Sequence, residues 1–174
     1  SVDVPHKTEY GALALGLTNG AEVRAAYALI IARVREKKPD AQIEGVIVQP
    51  QLCGVECLLG VSRDPQLGPV LVLGLGGVLV EVLKDVAIRI PPITPAEARR
   101  AFDSLRGRAI LQGVRGAPPA DVDALAEMAS RLSWLAHDLG EEVTEIDLNP
   151  VLALPVGQGA VAVDALMVTR EHLH

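Results

Sequence analysis

The sequence predicts an α+β fold, a mixed or antiparallel sheet flanked by helices, and three observations lead there. Strand-like runs come in neighbouring pairs joined by turn chemistry, as at Asp64-Pro65 and Gly68-Pro69. Amphipathic helical stretches fall between these pairs without the regular strand–helix alternation of a parallel sheet. The chain closes on a hairpin pattern, two β-rich runs around Pro155 to Gly159. At 174 residues there is enough chain for one domain, or one domain plus a small lobe, around a proper core.

Each element has a local reason. Tyr10 to Leu17 alternates loosely with small residues and reads as a glycine-flanked strand. Asn19 opens a helix, with Glu22 three residues on in capping-box spacing and an apolar stripe at Val23, Tyr27, Ile30, Ile31 and Val34. Charged residues from Arg35 to Lys38 and then Pro39 end it. Ile43 to Val48, Glu56 to Ser62 and Val70 to Leu73 are strand runs, the first closed by Pro50. Gly74, Gly76 and Gly77 lead into Val78 to Leu83 and then Val86 to Ile90. Thr94, Pro95 and Glu97 start a second helix, with Ala98, Phe102 and Leu105 on its inner face. A glycine-rich connector, Leu111 to Pro119, carries Arg115. The longest helix runs from about Asp121 to Leu139, with Val122, Leu125, Met128, Ala129, Leu132, Leu135 and Leu139 at helical spacing, and Gly140 stops it. Val143 to Leu154 and Ala160 to Thr169 form the closing hairpin.

Composition removes several function classes. A net charge of -6 without an arginine-rich stripe argues against nucleic-acid binding, and one Phe, one Trp and two Tyr leave few stacking platforms. No apolar run is long enough to span a bilayer, and no leader pattern opens the chain, so the expectation is a cytoplasmic protein with no membrane role. Cys53 and Cys57 suit a reducing compartment and read as small strand or core residues, since no His near them in sequence completes a zinc site.

The closing hairpin carries the chemistry. With its turn centred between Val156 and Gly157, residues whose numbers add to 313 face each other, which sets Asn149 opposite Asp164. Their Cβ atoms would lie roughly 4.5–5.5 Å apart. Asp147 shares their face two residues away. Oxygen ligands so placed suit magnesium, which takes one or two carboxylates and fills its shell with water and phosphate oxygens. The alternative is a plain polar strand face that Asn149-Pro150 brings to an end.

Asp147-Leu148-Asn149-Pro150-Val151-Leu152, followed by Val163-Asp164-Ala165, resembles the closing signature of the ADP-forming acyl-CoA synthetases, also found in the β subunit of succinyl-CoA synthetase. Four more blocks in the same order are similar to that family. They are Pro5-His6-Lys7-Thr8-Glu9-Tyr10-Gly11, then Glu56 with Gly60 to Pro69, then Gly74-Leu75-Gly76-Gly77, then Leu111 to Gly116. The resemblance covers nearly the whole chain and implies an ATP-grasp-like fold with an incomplete lid. Residues 1–50 would be a partial lid subdomain and residues 51–174 the body with the nucleotide and magnesium site.

The resemblance also implies roles. Asn149 and Asp164 hold magnesium, and Glu56 reaches the ribose. Gln49, Pro50, Gln51 and Leu52 form a hinge whose backbone reads the adenine edge, and Gly76 and Gly77 let phosphate approach. His6 corresponds to the family's phosphoryl carrier, a role that suits an imidazole nitrogen nucleophilic near neutral pH. Arg115 is open to two readings, a phosphate or partner contact and a solvated arginine. Ala12 stands where the family has a second glycine, and Leu67 where it has Phe.

The implied activity is interconversion of acyl-CoA, ADP and phosphate with acid, CoA and ATP, through phosphohistidine. ATP or ADP and magnesium are the cofactors, and CoA-binding and acyl-transfer domains or a subunit are the partners. The alternative is a regulatory synthetase-like module of a bacterial protein acetyltransferase. The lysine-bearing strand with which such modules begin is not in this sequence, so the expectation is a partial module. It would bind ADP poorly, with a sheet edge beside Ile43 to Val48 open to a second copy in a homo-oligomer.

Overall fold

The computed structural model of the protein describes residues 10–77 and 84–170. The chain divides into two compact units, Ser1–Gln51 and Leu52–His174. In the first, helix α1 (Gly20–Lys37) starts on Asn19, whose side chain accepts the N–H groups of Ala21 and Glu22. Glu22 reaches one residue further back than a capping box requires, to the N–H of Thr18 at 2.7 Å. Ile30 and Val34 are buried, with Tyr10, Ala12, Ala14, Ala41, Ile43 and Val46 packed against them.

The two strands expected in this unit do not form. Residues 12–18 and 41–54 make no ladder. Ala12, Ala14, Ala41, Ile43 and Val46 still pack against the α1 cluster, whereas Leu13, Leu15, Leu17, Ile47 and Val48 are exposed. A strand also needs a hydrogen-bonded neighbour, and neither segment supplies one to the other. Among the described residues, Ile43 to Val48 therefore forms no strand and the expected sheet edge is not there. Val78 to Leu83 lies outside the described residues.

The second unit is a six-stranded antiparallel sheet. Its strands are β1 (Val55–Asp64), β2 (Gly68–Leu75), β3 (Val86–Arg89), β4 (Val143–Ala153), β5 (Ala160–Ala162) and β6 (Ala165–Thr169). The order is β3-β2-β1-β4-β5, with β6 also paired to β4. The β1–β2 turn is an Asp-Pro turn in which Asp64 Oδ1 accepts the N–H groups of Gln66 and Leu67. In-register rows of alternate residues make one face apolar: Leu59 lies between Leu73 and Leu148, and Val61 between Leu71 and Ile146. Helix α2 (Pro95–Asp103) begins on a complete Thr94–Glu97 capping box, and α3 (Val122–Leu139) begins on Asp121. Both helices join the core that covers this face.

The buried stripe of α3 is rotated from the expected one. Leu125, Ala126, Ala129, Ser130, Leu132, Ser133 and Ala136 are buried, whereas Leu135 is exposed. Small residues at the helix–helix seam allow close approach to α2. The two serines are satisfied there, because Ser130 Oγ donates to the carbonyl of Ile93 and Ser133 Oγ accepts its N–H. No helix among the described residues is long and apolar enough to cross a membrane.

Candidate functional site

The sheet face away from the helices carries the polar residues. On β4 these are Glu145, Asp147 and Asn149. The expected register holds on both sides of the hairpin: Val151 faces Ala162, Leu148 faces Ala165, and all these pairs add to 313. Between them the N–H of Val163 donates to the carbonyl of Pro150 at 2.9 Å. Asn149 therefore stands opposite Asp164, in a two-residue gap where the return strand leaves the ladder between β5 and β6. The continuous return strand expected from Ala160 to Thr169 is thus broken at Val163 and Asp164.

The other side of Asn149 is irregular as well. Cys57 pairs with Val151 but Leu59 with Leu148, so Asn149 and Pro150 together oppose Leu58. This bulge moves the core-facing set from even numbers, Ile146 and Leu148, to odd ones, Val151 and Ala153. The Asn149–Pro150 peptide is cis.

Electrostatics distinguish the acidic residues of this face. Burial, then the charges of Glu145 and Asp164, push the Asp147 carboxyl above its ordinary value. Asp147 is opposite Gly60, where the missing side chain leaves space for the carboxylate. Asp164 Oδ1 accepts the N–H of Ala165 at 2.9 Å. Among the described residues no three His, Cys, Asp or Glu side chains converge as a metal cage. The donor set is the open kind, an amide oxygen and a carboxylate beside an acidic neighbour, and that chemistry fits magnesium with phosphate and water completing its shell.

Glu56, Gly76 and Gly77 form a second cluster. The N–H of Gly76 donates to the Glu56 carbonyl at 2.7 Å, so Gly76 has no amide left to offer a phosphate. A Cβ on Gly76 would lie 3.0 Å from the backbone of Glu56 and Cys57. Gly77 has φ +65°, and a Cβ there would meet Glu56 Oε2 at 2.8 Å. The positive φ is what favours glycine at Gly77, because the end of the Glu56 side chain could swing aside.

The hinge residues Gln49, Pro50, Gln51 and Leu52 are exposed and irregular, and Gln51 Oε1 accepts the N–H of Gly16 at 2.7 Å. His6 lies outside the described residues. Arg115 is exposed at φ 53°, between Gly113 and Gly116, which also have positive φ. Cys57 is buried, its thiol pushed up to about 12 by desolvation, while Cys53 is exposed rather than in the core. Sequence reasoning missed Asp121, whose carboxylate binds the hairpin turn as well as its own helix. The signal for it was an acidic residue just before a helix, but its partners Gly157 and Gly159 are remote in sequence.

Comparison with known proteins agrees with this architecture. The family model described as ATP-grasp domain matches residues 1–169. The chain is 39% identical over 171 residues to the acetate–CoA ligase [ADP-forming] II subunit beta of Pyrococcus furiosus, covering 98% of this chain and 72% of that one. It is 40% identical over 165 residues to the 4-hydroxybutyrate–CoA ligase [ADP-forming] of Nitrosopumilus maritimus, covering 94% of this chain and 24% of that longer protein. Among solved structures, a dinucleotide forming acetyl-coenzyme A synthetase 1 of Ca. Korarchaeum cryptofilum superposes with TM-score 0.75 at 34% identity, covering 98% of this chain and 73% of that one. That structure is a complex with coenzyme A and Mg-AMPPCP, its phosphohistidine segment pointing towards the nucleotide binding site. The chain belongs to the ATP-grasp domains of the ADP-forming acyl-CoA synthetase family.

Proposed function

We propose that the chain is the nucleotide-binding portion of an acid–CoA ligase that interconverts acyl-CoA, ADP and phosphate with acid, CoA and ATP through phosphohistidine. The observation that carries this reading is the hairpin register, which sets Asn149 opposite Asp164 with Asp147 two residues along the strand. Asn149 and Asp164 are the magnesium ligands in this reading. The ion, when bound, neutralises charge on the nucleotide phosphates. Glu56 hydrogen-bonds the ribose hydroxyls, and Gly77 keeps the backbone beside it clear of side chains. The backbone of Gln49, Pro50, Gln51 and Leu52 reads the adenine edge.

His6 supplies the covalent step. Its ring nitrogen bonds to the γ-phosphorus of ATP as the bond to the bridging oxygen breaks, ADP leaves, and the reverse reaction returns the phosphoryl group. CoA-binding and acyl-transfer domains or a separate subunit complete the reaction and select the acyl group. Unpaired Cys53 and Cys57 support a cytoplasmic setting. The test is acid-labile label from γ-labelled ATP in the complete synthetase. His6→Ala should abolish the label on this domain and overall acyl-CoA synthesis, while exchange through the acyl phosphate half-reaction persists. Labelling equal to that of the unaltered enzyme would show that His6 does not carry the phosphoryl group.

A further inference from the structure

We infer that Asp121 is a positioning residue for the Asn149–Asp164 pair, acting by latching the turn of the hairpin that carries both. The inference rests on the magnesium reading above.

One carboxylate joins two chain segments. Asp121 Oδ1 accepts the N–H of Ala124 at 3.1 Å and so caps α3. Oδ2 accepts the N–H of Gly157 at 2.8 Å and of Gly159 at 3.0 Å, two residues of the β4–β5 turn. The backbone repeats the connection. Asp121 N–H donates to the carbonyl of Leu154 at 2.7 Å, and Val156 N–H donates to that of Pro119 at 3.0 Å. No other carboxylate among the described residues is bonded to both a helix start and the hairpin.

The turn needs such support. Gln158 N–H donates to the Pro155 carbonyl at 2.9 Å, and Gly157, third in the turn, has φ 83°. That is the pattern of a type II turn, with positive φ only at the third position. Strand twist favours the mirror-image turns in two-residue hairpins, whereas type II splays the strands. Beyond the turn, β5 holds only Ala160 to Ala162 before the ladder opens at Val163 and Asp164. Asp164 is therefore fixed from one end by β6 and from the other by a three-residue strand whose turn is held at Asp121. A slip of one residue at that end would carry Asp164 to the other face.

Asp121 does not touch the ion in this account, so its substitution should alter metal affinity and leave metal-free nucleotide binding alone. In Asp121→Ser a short hydroxyl still caps Ala124 but cannot reach Gly157 and Gly159. The measurement is Mn²⁺ titration of the complete synthetase by electron paramagnetic resonance in the presence of ADP, with Mn²⁺ standing in for magnesium. Circular dichroism checks the fold, and Asp164→Asn is the control. We expect Asp121→Ser to weaken Mn²⁺ binding about 10-fold, the range typical of residues that orient metal ligands, with unchanged ADP binding in chelator. Should Asp121→Ser not fold, Asp121→Asn carries the same comparison, because its single amide oxygen cannot accept from both Ala124 and the turn. Wild-type Mn²⁺ affinity in the Asp121 variant, with loss in Asp164→Asn, overturns the inference alone. Wild-type affinity in Asp164→Asn overturns the magnesium reading as well.

Discussion

Asp147 is half-buried between Glu145 and Asp164, and its carboxyl is raised above the ordinary value by burial first and by those charges next. A carboxyl raised in the folded state holds its proton to higher pH than in the unfolded chain. Its contribution to stability is therefore present at low pH and is lost as pH rises through the folded value. At neutral pH without metal, Asp147 destabilises the fold. Asp147→Asn should raise the Tm of the metal-free protein near pH 7, and the gain should vanish near pH 3. Like charges across a sheet cost roughly 0.2–1 kcal/mol, or about 1–3 °C in a domain of this size. A lower Tm for Asp147→Asn at pH 7 would refute the repulsion. The facing of Asn149 and Asp164 is legible in the sequence because a hairpin's turn fixes every pair at once. Charge crowding around Asp147 is not, because it depends on how deeply the strand face is buried.

Among the elements, α3 shows how a helical stripe can be read one position off. Leu135 completes an apolar pattern in the sequence but is exposed, while Ser130 and Ser133 are buried. Spacing alone cannot reveal this, because a serine belongs in a core only where a backbone group awaits it, and here that group is Ile93, far away in sequence. Ser133→Ala should leave the Ile93 N–H buried without an acceptor and cost about 1–3 kcal/mol by urea denaturation. Stability within 0.5 kcal/mol of wild type, an order-of-magnitude margin for surface changes, would show that the bond contributes nothing. The Thr94–Glu97 capping box, the Asn19 cap and the Asp-Pro turn are legible because their partners lie within four residues. The expected strands Tyr10 to Leu17 and Ile43 to Val48 are absent because a strand's existence depends on a neighbour that its own residues do not specify.

At the scale of the whole molecule the units differ in core size. The second packs Phe102, Leu59, Leu71, Leu73, Leu75 and Leu125 without solvent exposure, whereas the first buries only Ile30 and Val34 among its described residues. Burial of apolar surface is the main source of stability, so α1 should open at far lower free energy than the sheet. Hydrogen exchange should show α1 amides exchanging at least about 100-fold faster than those of β1 and β4, a gap of roughly 2.7 kcal/mol. Equal protection would mean that the units unfold as one. The ATP-grasp assignment is legible from five ordered blocks, while the long-range bonds of Asp121 and Asp85, the latter to the N–H groups of Arg106 and Gly107, emerge only in three dimensions.

The gap in the return strand has a mechanical consequence. Asn149 belongs to an eleven-residue strand, and Asp164 to a short break between two ladders. Both members of the pair sit where a ladder is interrupted, Asn149 at the bulge against β1 and Asp164 at the gap between β5 and β6. Were Asp164 tied into a continuous ladder, any displacement of its side chain would be transmitted along the strand to the core rows at Ile146 and Val151. With the break, the two ladders carry the load and the gap between them takes up the displacement.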